Sequence, residues 1–269
     1  MIVWIASYPK SGNTWLRLLI SNYLWPDSTD IFGNLKYIPK FPKKNYFENI
    51  VDEKSLKKDS LEIFKHFIAA QEGINKNNEL AFLKTHNFAG SIKGYPFTNS
   101  KNSSGAIYIV RDPRSVVVSS AYHNDYEFEK STERIMSTKN VSLNDGFMEA
   151  RLSWKIHYLS WKKLDIPKII IKYEDLFTDP TNKFLEVLEF INQLKKIKID
   201  ENKIKETIEK CSFENLSDIE KKFGFTEKLG KENFFRKGLV DEWKKVLKEN
   251  LVKKIEKEFF EEMKELKYL

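Results

Sequence analysis

The sequence predicts an α/β fold: a single domain, residues 1–269, with a central parallel sheet flanked by helices and a P-loop-like phosphate-binding turn. Apolar runs of strand length alternate with helical patterns, as in parallel sheets with crossover helices. Polar residues follow the strands, at the sheet edge where such folds bind ligands. No repeat or Pro/Gly/Ser-rich linker divides the chain. The predicted strands are 2–7, 80–85, 106–110 and 167–172, and the predicted helices are 14–24, 55–70, 114–123, 145–164 and 180–194.

The turn after the first strand, residues 8–15, is the most informative stretch of the chain. An apolar run precedes it, and a helical pattern that ends at Pro26 follows it. A strand–turn–helix of this kind directs backbone N–H groups and the positive helix end at one point, where an anion can bind. Gly12 permits close approach of the backbone, Lys10 supplies a mobile charge, and Ser11 and Thr14 supply hydroxyls. The Gly-Lys-Ser/Thr ending of a Walker A loop is missing, and Lys10 and Gly12 alone would fit an ordinary βα loop equally well.

Three further segments place polar groups at strand ends or in a late loop. Lys84 and His86 end the second apolar run, and Arg111 ends the third. Asp112 is then predicted to be the N-cap of a helix and Pro113 its first residue. Ser119 lies on this helix about one turn beyond Ser115. The late loop holds the basic run Arg236, Lys237 and Gly238, with Asp241, Glu242 and Trp243 behind it.

Taken in order, these four segments resemble the sulfotransferase family that uses 3′-phosphoadenosine 5′-phosphosulfate (PAPS). The resemblance covers residues 1 to about 245 and favours a cytosolic-type, bacterial member. It implies that PAPS is the sulfuryl donor, that 3′-phosphoadenosine 5′-phosphate (PAP) is the product, and that no metal takes part. The carboxylates of Glu174 and Asp175 are accordingly interpreted as structural.

The chemistry of sulfuryl transfer selects candidate catalytic residues. His86 is the best general base, because a neutral imidazole can accept a proton at physiological pH. Lys10 is the best group to stabilise the leaving phosphate oxygen. The resemblance implies that Lys84 assists near the sulfuryl group.

The resemblance also implies the donor-binding residues. The turn would hold the phosphosulfate, with Asn13 standing where the family often has Thr or Gly. Arg111, Ser119 and the late basic run would hold the 3′-phosphate, and the adenine would lie against aromatic residues. The predicted PAPS ligands are Lys10, Ser11, Gly12, Asn13, Thr14, Trp15, Arg111, Ser119, Tyr173, Ser212, Phe213, Arg236, Lys237 and Gly238. Cys211 replaces the usual Thr of cytosolic members, which weakens one adenine contact.

The acceptor, a small molecule or carbohydrate with a hydroxyl or amine, is not identified by the sequence. Aromatic residues in 31–47 and 88–97 either wall an acceptor pocket or anchor loops on the core, and His123 is a further candidate for the pocket wall. The C-terminal dimer motif of animal cytosolic members is absent, so the oligomeric state is not predicted.

Composition narrows the class of protein. The net charge of +7 is spread along a Lys-rich chain and does not predict a nucleic-acid partner. One cysteine, with no signal peptide and no 20-residue apolar span, favours a cytoplasmic protein. Residues 215–235 are predicted to form a mobile loop and residues 239–268 a long amphipathic helix.

Two alternatives from other classes remain. A P-loop nucleotide kinase would need a Gly-Lys-Ser/Thr turn and a magnesium carboxylate, and neither is evident. A non-catalytic adenine-nucleotide-binding protein would have no need of a base such as His86 beside the donor.

Overall fold

The four predicted strands form one parallel sheet. The computed structural model describes residues 1–26, 30–51, 60–77, 79–144 and 147–269. The strands within these residues are β1 (Ile2–Ala6), β2 (Ala81–Thr85), β3 (Ser91–Ile92), β4 (Tyr95–Pro96), β5 (Ser103–Val110), β6 (Val141–Asn144), β7 (Phe147–Ala150) and β8 (Lys168–Lys172). The parallel sheet has the order β2-β1-β5-β8, while β3 pairs with β4 and β6 with β7 as short antiparallel ladders.

Helices cover both faces of the sheet. Short 3₁₀ segments span Gly33–Tyr37, Lys44–Tyr46 and Ser60–His66. The α-helices are α1 (Asn13–Leu24), α2 (Phe67–Asn75), α3 (Pro113–Asn124), α4 (Phe128–Met136), α5 (Trp154–Lys163), α6 (Tyr173–Thr178), α7 (Pro180–Leu194), α8 (Glu201–Lys210), α9 (Phe213–Phe223), α10 (Trp243–Val246), α11 (Glu249–Glu258) and α12 (Phe260–Glu265).

Strand β1 is buried along its whole length and divides the core in two. Its even residues, such as Trp4, face one apolar cluster that includes Trp161 of α5. Its odd residues, such as Ile5, face a second cluster that includes Leu19 of α1 and Phe184 of α7. This two-sided burial explains why the strand is an unbroken apolar run rather than an alternating one.

Three predicted elements differ from the structure. Residues 145–146 lie outside the described residues, but 147–150 form strand β7, and helix α5 begins only at Trp154, after Ser153 caps Ile156 N–H. Residues 213–223 form helix α9 instead of a mobile loop, because Ser212 caps it and an apolar face packs on the core. Three helices replace the single long C-terminal helix that was predicted. Leu247 and Lys248 take extended backbone angles and separate α10 from α11, and Phe259 separates α11 from α12.

The predicted helix at 55–70 is confirmed only in its last residues. Residues 52–59 lie outside the described part of the chain, 60–66 form a 3₁₀ turn, and α2 begins at Phe67.

The sheet order creates a crevice between β1 and β5. The chain passes from β1 to β2 on one side and then crosses to β5 on the other side of β1. The loops that leave the carboxyl ends of β1 and β5 therefore diverge, and such a switch point is where open α/β sheets bind ligands. Residues 7–12 and Arg111 lie at these two ends.

Candidate active site

The turn after β1 is shaped by two residues with positive φ. Lys10 has φ of 68° and Gly12 has φ of 97°. A Cβ at Gly12 would lie 2.4 Å from Cδ2 of Tyr173, so both the angle and the close approach require glycine. Ser11 Oγ is buried and has no hydrogen-bond partner among the described residues. An anion at the start of α1 would give this hydroxyl its partner.

Lys10 is held in an apolar and electropositive environment. Its Nζ lies 4.1 Å from the centroid of the Phe234 ring. Burial, and next the Arg111 guanidinium, lower the pKa of Lys10 to about 7. The charged form of Lys10 is therefore disfavoured, and a bound anion would stabilise it.

His86 is fixed by the same turn. Its Nδ1 lies 2.8 Å from the carbonyl oxygen of Ser7 and 3.3 Å from Ser7 Oγ. A carbonyl can only accept, so Nδ1 carries the proton and Nε2 keeps its lone pair. No described residue hydrogen-bonds to Nε2. Burial, followed by the Lys84 charge, holds the pKa of His86 well below its usual value, so the imidazole is neutral.

Two residues position His86 indirectly. Asn13 Nδ2 donates to Ser7 Oγ at 3.2 Å and to the Ile5 carbonyl at 3.1 Å. Both side-chain hydrogen bonds of Asn13 are thus made within the turn. The prediction that this side chain binds PAPS loses support, whereas its backbone N–H at the start of α1 can still bind an anion. His157 Nε2 donates to the His86 carbonyl at 3.2 Å.

Lys84 lies at the end of β2, buried beside His86. Burial lowers its pKa to about 8, and Glu149 and then Glu227 oppose that effect. The two carboxylates therefore stabilise the protonated form of Lys84, which burial alone would disfavour.

Arg111 lies at the end of β5 and reaches across the crevice. Its Nη1 donates to the Lys10 carbonyl at 3.3 Å and its Nη2 to the Leu239 carbonyl at 2.9 Å. Its guanidinium lies 4.2 Å from the centroid of the Tyr173 ring. Nε is buried without a partner among the described residues. Asp175 lies near Lys172, with Oδ1 and Nζ 3.7 Å apart.

The late loop is anchored by helix α9. The buried carboxylate of Glu220 accepts the N–H groups of Phe234 and Phe235 at 2.7 and 2.8 Å. Arg236 forms a two-point ion pair with Glu242 and lies 3.9 Å from the centroid of the Tyr122 ring.

The ion pair with Glu242 gives the late basic run a partner inside the protein. Lys237 Nζ also donates to Glu242, at 3.0 Å. The loop therefore already holds one carboxylate where it was expected to hold phosphate. Gly238 has φ of 61°, and a Cβ there would lie 2.5 Å from Phe213 Cδ2.

Aromatic side chains form the far end of the cleft. Trp15 Nε1 donates to the Cys211 carbonyl at 2.9 Å, and its ring meets that of Tyr173 edge-on at 5.8 Å. Phe213 lies beside them. Ser212 instead caps α9, accepting from Asn215 N–H, and does not line the cleft.

Nearly all predicted site residues meet in one cleft of about 500 Å³. This volume lies within the range of small-molecule sites. Ser11 and Ser212 are the two predicted residues that do not line it. The residues that do are Lys10, Gly12, Asn13, Thr14, Trp15, Lys84, His86, Arg111, Ser119, Tyr173, Phe213, Arg236, Lys237 and Gly238.

Most of the aromatic residues predicted around the acceptor pack on the core instead. Phe41, Phe47 and Phe97 are buried in the first cluster and Phe32 stacks on Phe235, whereas Tyr37 and Tyr95 are exposed. None of the aromatic residues of 31–47 and 88–97 lines the cleft, so anchoring on the core holds for the buried ones. His123 does line the cleft, edge-on to Phe234 at 5.6 Å.

Several polar residues of the cleft were not predicted. Glu227 accepts from Thr14 Oγ1 at 2.6 Å and pairs with Arg17 at 2.7 Å. Lys40, Arg134, Asn140 and Arg151 line the wall on the His86 side. No sequence signal marks them, because they lie in loops and helix faces that contact the turn only after folding.

Glu174 is structural, as predicted. Its carboxylate accepts from Asp112 N–H at 3.0 Å and from the Tyr268 hydroxyl at 2.9 Å. Among the described residues, no group of three or more His, Cys, Asp or Glu side chains could hold a metal ion. No helix of this part of the chain is long and apolar enough to cross a membrane.

Comparison with known proteins defines the class. Residues 2–267 match the sulfotransferase domain model. The chain is 30% identical to flavonol 4′-sulfotransferase of Flaveria chlorifolia over 277 residues, covering 95% of this chain and 77% of the relative. Flavonol 3-sulfotransferase of Flaveria bidentis is 28% identical over 272 residues, covering 95% and 79%. The chain therefore belongs to the sulfotransferase domain family, and the resemblance predicted from its motifs is confirmed.

Solved structures confirm the fold. Retinol dehydratase in complex with androsterone and PAP has a TM-score of 0.64 at 18% identity, covering 98% of this chain and 80% of that one. Mouse sulfotransferase SULT7A1 complexed with PAP has a TM-score of 0.62 at 21% identity, and the match covers 98% of this chain and 84% of that one.

Proposed function

We propose that this protein transfers a sulfuryl group from PAPS to a hydroxyl or amine of a small-molecule or carbohydrate acceptor. One observation carries the proposal: a neutral, half-buried imidazole, whose Nδ1 is held by Ser7, shares a cleft with Lys10, Lys84 and Arg111. Family membership and PAP-bound structural neighbours support it.

His86 is the general base in this proposal. Ser7 holds Nδ1–H, so Nε2 is the atom that accepts the acceptor's proton. The low pKa makes His86 a base that is always unprotonated at neutral pH, although a weaker one than free imidazole. Lys84 beside it provides a positive charge near the transferring oxygens.

Lys10 stabilises the leaving phosphate oxygen. Burial makes its charge costly, and negative charge on the departing oxygen would offset that cost as the bond breaks. Because that charge grows in the transition state, Lys10 contributes mainly to kcat.

Arg111, Ser119 and the late loop recognise the 3′-phosphate. Arg111 has a buried Nε without a partner among the described residues, and Ser119 lines the same cleft. Arg236 and Lys237 reach the same end of the cleft but are paired with Glu242. A bound phosphate would share or replace that carboxylate, while Trp15, Tyr173 and Phe213 would contact the adenine.

Calorimetric titration of PAP and AMP tests the donor assignment. We expect PAP to bind at least tenfold more tightly than AMP, since charge-assisted hydrogen bonds to the 3′-phosphate are worth about 1.5–3 kcal/mol each. Arg111→Ala should remove most of this preference. Lys172→Ala is the control, because it removes a cation at the same sheet edge, outside the cleft. Equal affinities for PAP and AMP in the wild type would overturn the assignment.

The two alternatives predict other outcomes. A nucleotide kinase would prefer ATP with magnesium over PAP, and thermal-shift comparison of the two ligands separates them. A non-catalytic binding protein would bind PAP but release no PAP from PAPS with any acceptor of a broad panel.

A further inference from the structure

The wall of the cleft around His86 carries an excess of positive charge. Four cationic residues line the cleft in this region, and Glu227, a carboxylate of the same lining, is already paired with Arg17. The buried carboxylate of Glu149 pairs with Arg151 and offsets part of the charge. Arg111, Tyr173 and Phe213 belong to the proposed nucleotide end of the cleft. The four cationic residues are Lys40, Lys84, Arg134 and Arg151.

Arg134 has no carboxylate partner. It lies in α4, and its one polar side-chain contact among the described residues is a 3.4 Å contact from Nη2 to Asn140 Oδ1. Its guanidinium also lies 5.5 Å from the centroid of the Tyr126 ring. Since a guanidinium offers five N–H donors, most of its capacity is available to a ligand.

Arg151 is only partly satisfied. Its Nη2 donates to the buried Glu149 carboxylate at 2.9 Å, while its Nε is buried without a partner among the described residues. Its backbone N–H donates to the Asn140 carbonyl at 3.0 Å. Asn140 thus contacts both arginines and brings them to the same wall.

The two arginines lie close to the phosphate turn and to the base. Asn140 Nδ2 donates to the Tyr8 hydroxyl at 3.0 Å. Burial raises the pKa of Tyr8 to about 12, against the opposing charges of Arg151 and Arg134, so the phenol is neutral and adds no negative charge. Arg151 also contributes to the lowered pKa of His86. An acceptor whose hydroxyl reaches His86 therefore has these guanidinium groups within its own length.

We propose that the acceptor is an anion, and that Arg134 and Arg151 bind its carboxylate, phosphate or sulfate group while its hydroxyl faces His86. This substrate class rests on the proposed sulfotransferase function. A planar, forked guanidinium suits all three anionic groups. The core position of Phe41, Phe47 and Phe97 supports the proposal, because none of these aromatic rings lines the cleft.

Binding of matched phenols to the PAP-saturated protein tests the proposal. Bound PAP blocks the donor end, so that anionic probes report the acceptor end alone. The probes are 4-hydroxybenzamide, 4-hydroxybenzoate, 4-hydroxyphenyl phosphate and 4-hydroxybenzenesulfonate, and calorimetry gives each Kd. We expect at least one anionic phenol to bind about tenfold or more tightly than the amide, and the ranking to identify the preferred anion.

Variants then locate the site. Arg134→Gln should reduce the preference for the anion about fivefold or more and leave the amide and PAP affinities unchanged. Arg151→Lys, which keeps a charge for Glu149, should reduce it as well. Lys130→Gln is the matched control: it removes a cation from the same helix that also lies over the Tyr126 ring, but it does not line the cleft.

The proposal fails if the amide binds as well as every anionic phenol, if no anionic phenol binds, or if Arg134→Gln and Lys130→Gln act alike. Failure of PAP to bind would instead contradict the sulfotransferase function. In that event, the same benzoate and amide comparison in ligand-free wild type and Arg134→Gln still decides whether the anion site exists.

Discussion

At the scale of single residues, burial sets the protonation of the proposed catalytic groups. Lys10 and Lys84 have lowered pKa values of about 7 and about 8, and His86 has one well below its ordinary value. In all three, loss of hydration is the largest cause. The pKa of each group should therefore change when a polyanion enters the cleft.

Replacement of Lys10 by Ala should lower kcat by about 10²-fold or more and change PAP affinity much less, because its charge acts on the leaving oxygen in the transition state. Steady-state kinetics with PAPS, together with calorimetry of PAP, measure both quantities. Lys237→Ala is the comparison: it lies at the 3′-phosphate end, and we expect it to weaken PAP binding with little effect on kcat. A Lys10 variant with normal kcat would show that the role is wrongly assigned.

Replacement of His86 by Asn should lower turnover by about 10²-fold or more and leave PAP binding intact, since the base contacts the acceptor proton. His66→Asn, outside the cleft, is the control. A general base with the pKa of free imidazole, about 6.5, would lose activity below that pH. The lowered pKa of His86 removes this expectation. Because imidazolium forms only at lower pH, the wild-type kcat should pass through pH 6.5 without an inflection from His86. An acid limb centred near 6.5 in wild type, absent in the Asn variant, would contradict this.

Binding of PAP at pH 8 should take up protons. A lysine with a pKa of about 7 is mostly neutral at pH 8, and phosphate negative charge raises that pKa, so Lys10 gains a proton on binding. At pH 6 it is already protonated and should contribute no uptake. Calorimetry in buffers of different ionisation enthalpy measures the uptake, which should fall in Lys10→Ala. Equal uptake in wild type and variant would assign it to another group.

At the scale of secondary-structure elements, the late loop depends on α9. The carboxylate of Glu220 holds two N–H groups immediately before Arg236, so the helix fixes the position of the basic run. The loop from Gly224 to Glu242 also contributes Glu227 to the cleft, where it accepts from Thr14.

Glu220→Gln should weaken PAP binding about tenfold without lowering kcat, because hydrogen bonds to a charged group are worth about 1.5–3 kcal/mol each and only the loop depends on them. Glu214→Gln, an exposed change in the first turn of the same helix, should leave the affinity unchanged. Calorimetry of PAP measures the effect. Similar affinities in the two variants would show that the loop does not depend on Glu220.

At the scale of the whole molecule, the proposed nucleotide site joins segments from both halves of the chain. Residues near β1, β5 and the late loop all contribute to it. A ligand that bridges them favours the folded state over the unfolded chain, to an extent set by its concentration relative to Kd.

PAP at 100 times its Kd should stabilise the fold by about 2.7 kcal/mol and raise Tm by about 5–10 °C for a domain of this size. AMP at the same concentration should give a much smaller shift. Differential scanning fluorimetry measures both, with Arg111→Ala as the variant that should lose the difference. Equal shifts with PAP and AMP would mean that the 3′-phosphate makes no net contribution.

The sequence by itself determined the sheet and one side of the site. Three of the four parallel strands are short apolar runs that are mostly buried, and the fourth, β8, is an apolar run between two lysines at the edge of the sheet, so all four can be recognised from the local sequence. The turn, His86 and Arg111 each follow a strand directly, Lys84 is the penultimate residue of β2, and parallel strands bring their carboxyl ends together. Helical periodicity failed where local capping or packing intervened, as at Ser153, Ser212 and Lys248.

Only the tertiary structure decided how these groups are charged and what faces them. Thr14 and Glu227 are 213 residues apart in sequence, and their contact depends on where the late loop packs. The lowered pKa values of Lys10 and His86 come from burial, which no local pattern contains. Arg134 and Arg151 reach the acceptor wall through Asn140, from segments without a motif. Sequence patterns report which face of an element is buried, whereas charge and specificity here arise between elements distant in the chain.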